Sequence, residues 1–358
     1  MVKRLERIET HAHYMPAPIY GAAGDYGPER IVNEALGQRT FRAGRWKSEA
    51  STFRRTPGQV GKPAGTENTD ASERLGQMDK LNVDVMGISA SPMIYCYGAP
   101  SDDGIRYARV YNDAMAEYCS ASPDRLFFIP TLPMQDVRAA ITESERTRSL
   151  GGRGVNIGTD CIAQMNLDDE RLMPFYEYCE AERLTIWLHP APIGTDDPNY
   201  DPAKNAEDRY SFGWLLGYPY RETVAFGNLV FSGTLDRFPN LKICIPHGGG
   251  FVPFQLGRLE YASQKKLTAS IRNRRPASEY LTNFYFDNVV HDARARKLLM
   301  QVMGPDHIFV GSNYGGWDWV DGFAYATDMA DSPEALYKLC AGNAIDLFQL
   351  SGMGRTME

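Results

Sequence analysis

Two histidines separated by one residue, His11 and His13, stand near the start of the chain in the run Ile8-Glu9-Thr10-His11-Ala12-His13-Tyr14-Met15-Pro16. In an extended strand alternate side chains share a face, so Glu9, His11 and His13 are expected to point the same way, the imidazoles about 7 Å of strand apart. Imidazoles so placed can converge on one divalent cation, Zn²⁺ or another, for which nitrogen ligands are suited. Other histidines close apolar runs in the same manner: His189 after Leu184-Thr185-Ile186-Trp187-Leu188, and His247 after Leu241-Lys242-Ile243-Cys244-Ile245-Pro246. Asn313 closes a further run that begins at His307. Four of the six histidines thus end apolar runs, which points to a metal centre. His307, at the start of its run, is expected to be structural, and His291 to support the site from behind or to cap a helix.

A second concentration of chemistry is cationic. Arg39, Arg42, Arg45, Lys47, Arg54 and Arg55 face a single acid, Glu49, within the irregular stretch 16–69, which is rich in Gly, Pro and Arg. A connection of that length without periodicity is expected to be an inserted lid or binding loop. In a chain of net charge −7 its local positive excess points to an anion site.

The elements that must position these residues alternate regularly. Helical patterns over 71–81, 103–120, 136–150, 169–183, 221–236, from 252, and 293–303 each precede a short apolar run, and two more helices, 333–340 and 344–350, end the chain. With the first strand this makes eight apolar strands: near 8–14, 83–89, 125–130, 154–158, 184–189, 241–247, 284–288 and 307–313. Near-continuous apolar strands are buried on both faces, and eight βα units make an α/β fold of the (β/α)8, TIM-barrel type. Such a barrel carries its active site where the strands end, which is where the histidines fall. An open doubly wound sheet is the alternative, but no G-x-G-x-x-G follows the first strand.

With 358 residues, 43% hydrophobic and 23% charged, the chain is expected to form one globular domain over 1–358. The negative charge argues against nucleic acid or an anionic membrane as partner, and no apolar run approaches the length of a membrane span. The six cysteines lack any C-x-x-C and read as reduced thiols of a cytoplasmic protein. Met1-Val2-Lys3-Arg4 leads straight into the first strand, leaving no room for a signal peptide.

Further motifs carry a family likeness: Thr131-Leu132-Pro133-Met134-Gln135, Gly154-Val155-Asn156-Ile157-Gly158-Thr159, Ala181-Glu182-Arg183 leading to His189-Pro190, His247-Gly248-Gly249-Gly250 through Pro253-Phe254 to Gly257-Arg258, Phe284-Tyr285-Phe286-Asp287 with His291-Asp292, and Gly311-Ser312-Asn313-Tyr314. With HAHYMP they resemble the amidohydrolase superfamily, in particular its aminocarboxymuconate-semialdehyde decarboxylase branch. The resemblance implies Zn²⁺ held by His11, His13, His189 and a strand-eight aspartate, with His247 as acid/base. It also implies that Arg258 grips a substrate carboxylate across a homodimer interface. Arg42, Arg45 or Arg54 would share that grip, since guanidinium binds carboxylate bidentately. Trp214, with Tyr210 and Tyr218, would wall a planar substrate.

Two departures stand at the expected metal site. Asn313 occupies the place of the aspartate, followed by Gly315-Gly316-Trp317-Asp318, and Glu9 stands where relatives often have Asp. An amide oxygen carries no formal charge, so the missing charge is expected from Glu9 or from Asp318 folding back. The activity implied is non-oxidative decarboxylation of an aromatic or conjugated unsaturated acid. The alternatives are a hydrolase or hydratase acting on a carbonyl or ring-cleavage compound, and a binding protein with a weakened metal site.

Overall fold

In a computed structural model the chain is described over residues 5–33, 38–43, 70–92, 95–159, 165–191, 210, 212–316 and 318–353, with the backbone alone at 25, 29–33 and 38–43. Strand β1 (Ile8–Tyr14) is followed by an antiparallel ribbon of β2 (Pro28–Asn33) and β3 (Gln38–Ala43). The alternating pattern then begins: α1 (Ala71–Lys80), β4 (Val85–Ala90), α2 (Ser101–Ser120), β5 (Leu126–Ile129), α3 (Val137–Ser149), β6 (Val155–Gly158), α4 (Met173–Ala181) and β7 (Thr185–His189). Three helices, α5 (Phe212–Leu215), α6 (Gly217–Phe231) and α7 (Thr234–Arg237), lead to β8 (Lys242–Ile245). The chain continues through α8 (Val252–Lys265), β9 (Phe284–Asp287), α9 (Ala293–Met303), β10 (Ile308–Phe309), α10 (Gly322–Met329), α11 (Pro333–Tyr337) and α12 (Asn343–Phe348).

Eight of these strands are parallel, in two sheets ordered β1-β4-β5 and β10-β9-β8-β7-β6. Backbone bonds join the sheets at both junctions. Asn156 N–H donates to Pro130 O (2.8 Å) on one side; His13 N–H to Tyr314 O (2.7 Å) and Tyr314 N–H to His11 O (3.1 Å) do so on the other. The result is the (β/α)8-type barrel expected from the alternation. Acidic or hydroxyl N-caps start several helices directly: Asp70, Asp136, Asp292, Asp321 and Ser332 each accept from a backbone N–H of the first turn. Inside the barrel, Ile8, Val85, Phe127, Ile129, Trp187, Cys244 and Phe309 pack with Ala344, Leu347 and Phe348 of α12, which close the floor.

Three expectations change. The stretch 16–69 is not wholly irregular, since it contains the β2–β3 ribbon and two short 3₁₀ turns; residues 44–69 lie outside those described. The helix expected over 221–236 divides at Gly233, whose φ of 82° turns the backbone left-handed and starts α7 afresh. The last strand is two residues of ladder, and the segment beyond it bonds to β1 instead.

The strand-one alternation is also interrupted. Ile8 and Glu9 pair with Val85 and Met86, but Ala12 pairs with Ile88, so β1 advances three residues while β4 advances two. Such a bulge resets which face each side chain takes. Ile8 faces the interior floor, and after the bulge so do His11 and His13. Glu9 faces outward instead, among Leu81, Val83, Met86, Trp319 and Phe323.

Candidate metal centre

Four imidazoles meet above the barrel floor. His11 and His13 come from β1, His189 is the last residue of β7, and His247 follows β8. His11 lies 5.0, 5.3 and 5.2 Å, ring centre to ring centre, from His13, His189 and His247. One nitrogen from each of His11, His13 and His189 lies within 4.8 Å of the others.

The outward nitrogens fix the tautomers. Nδ1 of His11 stands 2.6 Å from Asp287 Oδ2, that of His13 3.1 Å from Ala90 O, and that of His189 2.8 Å from Pro190 O. These acceptors hold the proton on Nδ1, which assigns a lone pair to each Nε2. Yet His11 Nε2 and His13 Nε2 are 3.2 Å apart, two acceptors facing each other. His189 Nε2 is buried with no hydrogen-bond partner among the described residues, an arrangement that costs about 1–3 kcal/mol unless something fills it. Ligands held about 2.0–2.1 Å from a tetrahedral cation stand about 3.3 Å from each other, close to the His11–His13 spacing. Burial, then mutual repulsion, pushes the His13 and His189 pKa values well below the ordinary range; burial also lowers that of His11. Neutral imidazoles are the ligating form, so the donor set fits a divalent cation.

His247 is set apart by its partner. Its backbone is left-handed (φ 50°), and the three glycines after it are too. A Cβ on Gly250 would fall 2.1 Å from Pro219 O, so only glycine lets α6 approach this turn. That approach brings Glu222 of α6, fully buried, within 2.6 Å of His247 Nδ1. Burial alone would lower the His247 pKa, but the Glu222 charge and hydrogen bond carry it up to about 9. Burial raises Glu222, against the pull of His247, to about 7.

Glu9 is not part of this group. Its Oε1 accepts from the backbone N–H of His11 (2.7 Å) and of Ser312 (3.1 Å). Burial pushes its pKa up to about 8, so it brings little negative charge at neutral pH. The expectation that it shares the histidine face fails because of the β1 bulge. Asn313 does lie beyond β10 with a left-handed backbone (φ 51°), a conformation Asn tolerates well. Its Nδ2 donates to Asp318 Oδ1, and its Oδ1 is buried without a partner among the described residues. Asp318 does fold back, and its Oδ2 accepts from His291 Nε2 at 3.1 Å.

Of the residues expected to hold substrate, Arg258 is exposed on α8, Trp214 is half-buried on α5 and stacks on Tyr218 at 6.2 Å. Tyr218 in turn lies 6.0 Å from His189 and 6.3 Å from His247. Arg45 and Arg54 lie outside the described residues; Arg42 sits in β3 with only its backbone described. Sequence reasoning gave no role to Asp287 or Glu222. Asp287 ends β9 as the histidines end their strands, which was a usable signal; Glu222, inside a helix, gave none.

The family profile described as amidohydrolase matches residues 8–350. The chain belongs to the amidohydrolase family. Among other amidohydrolases it is 32% identical over 248 residues to a 2-amino-3-carboxymuconate-6-semialdehyde decarboxylase of Dictyostelium discoideum, covering 68% of this chain and 66% of that protein's length. It is 27% identical over 301 residues to a gamma-resorcylate decarboxylase of Polaromonas sp., covering 78% of this chain and 87% of the relative. A solved dihydroxybenzoic acid decarboxylase from Polaromonas sp., with bound manganese and the inhibitor 2-nitroresorcinol, superposes with a TM-score of 0.74 at 21% identity, over 97% of this chain and 98% of that one. At that identity the superposition speaks for the amidohydrolase fold.

Proposed function

We propose that this amidohydrolase is a carboxy-lyase that removes CO₂, without oxidation, from an aromatic or conjugated unsaturated carboxylic acid, and that 1–358 acts as one catalytic domain. The observation that carries the reading is the group of three neutral, buried histidines with the His247–Glu222 pair beside it. The decarboxylases among its relatives support the same reaction class.

His11, His13 and His189, with Asn313 Oδ1 as a fourth donor, would hold a divalent cation, Zn²⁺ or Mn²⁺. When bound, the cation supplies positive charge against the negative charge that develops as CO₂ leaves. Glu222 holds the His247 ring by Nδ1 and keeps it protonated. In the step itself the bond to the carboxylate breaks, the electron pair stays on the ring or chain carbon, and His247 Nε2–H delivers the proton that replaces CO₂. Trp214 and Tyr218 form an apolar wall against a planar substrate. Arg258, with Arg42 or Arg45, grips the carboxylate. Arg258 shares a face of α8 with exposed Phe254 and Tyr261, which supports a homodimer in which the partner supplies this arginine. Among the described residues no helix is long and apolar enough to cross a membrane, and a cytoplasmic location is part of the same reading.

The test is a panel of hydroxylated aromatic and muconate-type acids, assayed for CO₂ release and for incorporation of solvent oxygen, with and without added divalent metal. Metal-dependent CO₂ release is expected, and His189→Ala should lose metal and activity together. Solvent oxygen in the product without CO₂ would replace the reading with a hydratase or hydrolase.

A further inference from the structure

The site carries a neutral amide at the position where its family resemblance places a charged ligand, and the structure provides an acid immediately behind it. Asp318 is nearly buried, its side chain 9% exposed. Both its oxygens are engaged: Oδ1 accepts from Asn313 Nδ2, and Oδ2 accepts from His291 Nε2 at 3.1 Å. Because only the NH₂ end of an amide can donate to a carboxylate, Asp318 fixes which end of Asn313 remains. That end is Oδ1, buried and without a partner among the described residues. Gly316 makes the fold-back possible, since a Cβ there would lie 2.1 Å from Asn313 Oδ1. Glu9, the other acid near this strand end, is turned away by the bulge in β1.

We infer that Asn313 and Asp318 work as a divided carboxylate, with Asn313 Oδ1 as the donor atom toward the cation and Asp318 as the positioning residue that orients the amide and supplies its negative charge. This rests on the metal-site reading above. A carboxylate accepting from the amide nitrogen polarises the amide and makes its oxygen a stronger donor, as acids behind metal-bound histidines do for imidazole. His291 bonds the second oxygen, which favours the same carboxylate orientation. Groups in this supporting position commonly change metal affinity about 10–100-fold.

The experiment is Mn²⁺ binding to the purified metal-free protein, followed by loss of the free-ion electron paramagnetic resonance signal, for four proteins: wild type, His189→Ala, Asp318→Asn, and the exchange Asn313→Asp with Asp318→Asn. Wild type should bind about one ion per subunit and His189→Ala should bind none tightly. Asp318→Asn should weaken binding about 10–100-fold. The double exchange moves the carboxylate back to residue 313 and should restore affinity to within a few-fold of wild type. Because the exchange also keeps an amide–carboxylate hydrogen bond between 313 and 318, the melting temperature of Asp318→Asn is measured alongside: weaker Mn²⁺ binding in a protein as stable as wild type supports the divided carboxylate, and weaker binding that follows lost stability overturns it. Unchanged affinity in Asp318→Asn, or no recovery in the exchange, overturns the divided carboxylate while His189→Ala still reports a metal site. No binding by wild type overturns both.

Discussion

In the proposed reaction His247 and Glu222 act as a proton-donating pair whose parts tune each other. Replacing His247 by Asn should leave the three-histidine group and its metal intact but lower kcat about 10²–10⁴-fold, the usual contribution of a general acid. Steady-state kinetics beside metal analysis would check both halves; near-normal kcat would remove His247 from the reaction. The pH profile follows from the same pair. The donor is the imidazolium, present below its pKa of about 9 and lost as the pH rises through it. Glu222→Gln removes the charge that does most to hold this value up, leaving the weaker pull of Asp287 and Asp318 against burial. The alkaline limb of kcat should therefore move to lower pH by a unit or more. A limb that stays in place would show that some other group controls it. These two residues also mark what could be read in advance. His247 was visible because it ends an apolar run before three glycines, whereas Glu222 became meaningful only when Gly250 let α6 close on the turn.

At the scale of the element, the bulge in β1 decides which side chains make the site. Strict alternation places Glu9 with the histidines, and one extra residue between Glu9 and Ala12 places it outside. Nothing in Glu9-Thr10-His11 signals the bulge, because it arises from pairing with β4 and with the segment beyond β10. The alternation of helices and apolar runs was legible because burial on both faces leaves a continuous apolar record in each strand. The β2–β3 ribbon left no such record: its two strands mix apolar, charged and amide residues, with no continuous apolar run longer than Ile31-Val32. The outward Glu9 has a measurable consequence. Its folded pKa of about 8 lies above the ordinary 4.5, so the folded state holds a proton that the unfolded chain releases. Its contribution to stability is fully present below about 4.5 and is lost as the pH rises through about 8. Glu9→Gln should remove that dependence: its melting temperature relative to wild type should climb between pH 5 and pH 8, with metal content unchanged. Loss of metal in this variant would return Glu9 to the ligand set.

At the scale of the molecule, the proposed homodimer places Arg258 of one subunit in the site of the other. Subunits carrying Arg258→Ala and subunits carrying His247→Asn, each inactive alone, should regain activity on mixing, since one hybrid site then holds both intact residues. Sedimentation should show a dimer, and failure to complement despite proven subunit exchange would confine each site to one chain. The bonds that close the barrel have a further consequence, in time. β1 pairs with β4, made within the first 90 residues, but Thr10 finds Val310 O only across a separation of 300 residues. At about 5–20 residues per second, a ribosome leaves that flank of β1 uncovered for roughly 15–60 s. Throughout that interval the nascent chain displays an open strand edge bearing two histidines, able to pair wrongly with another chain. Translation stalled before residue 310 would therefore leave a chain that cannot close around its own cation.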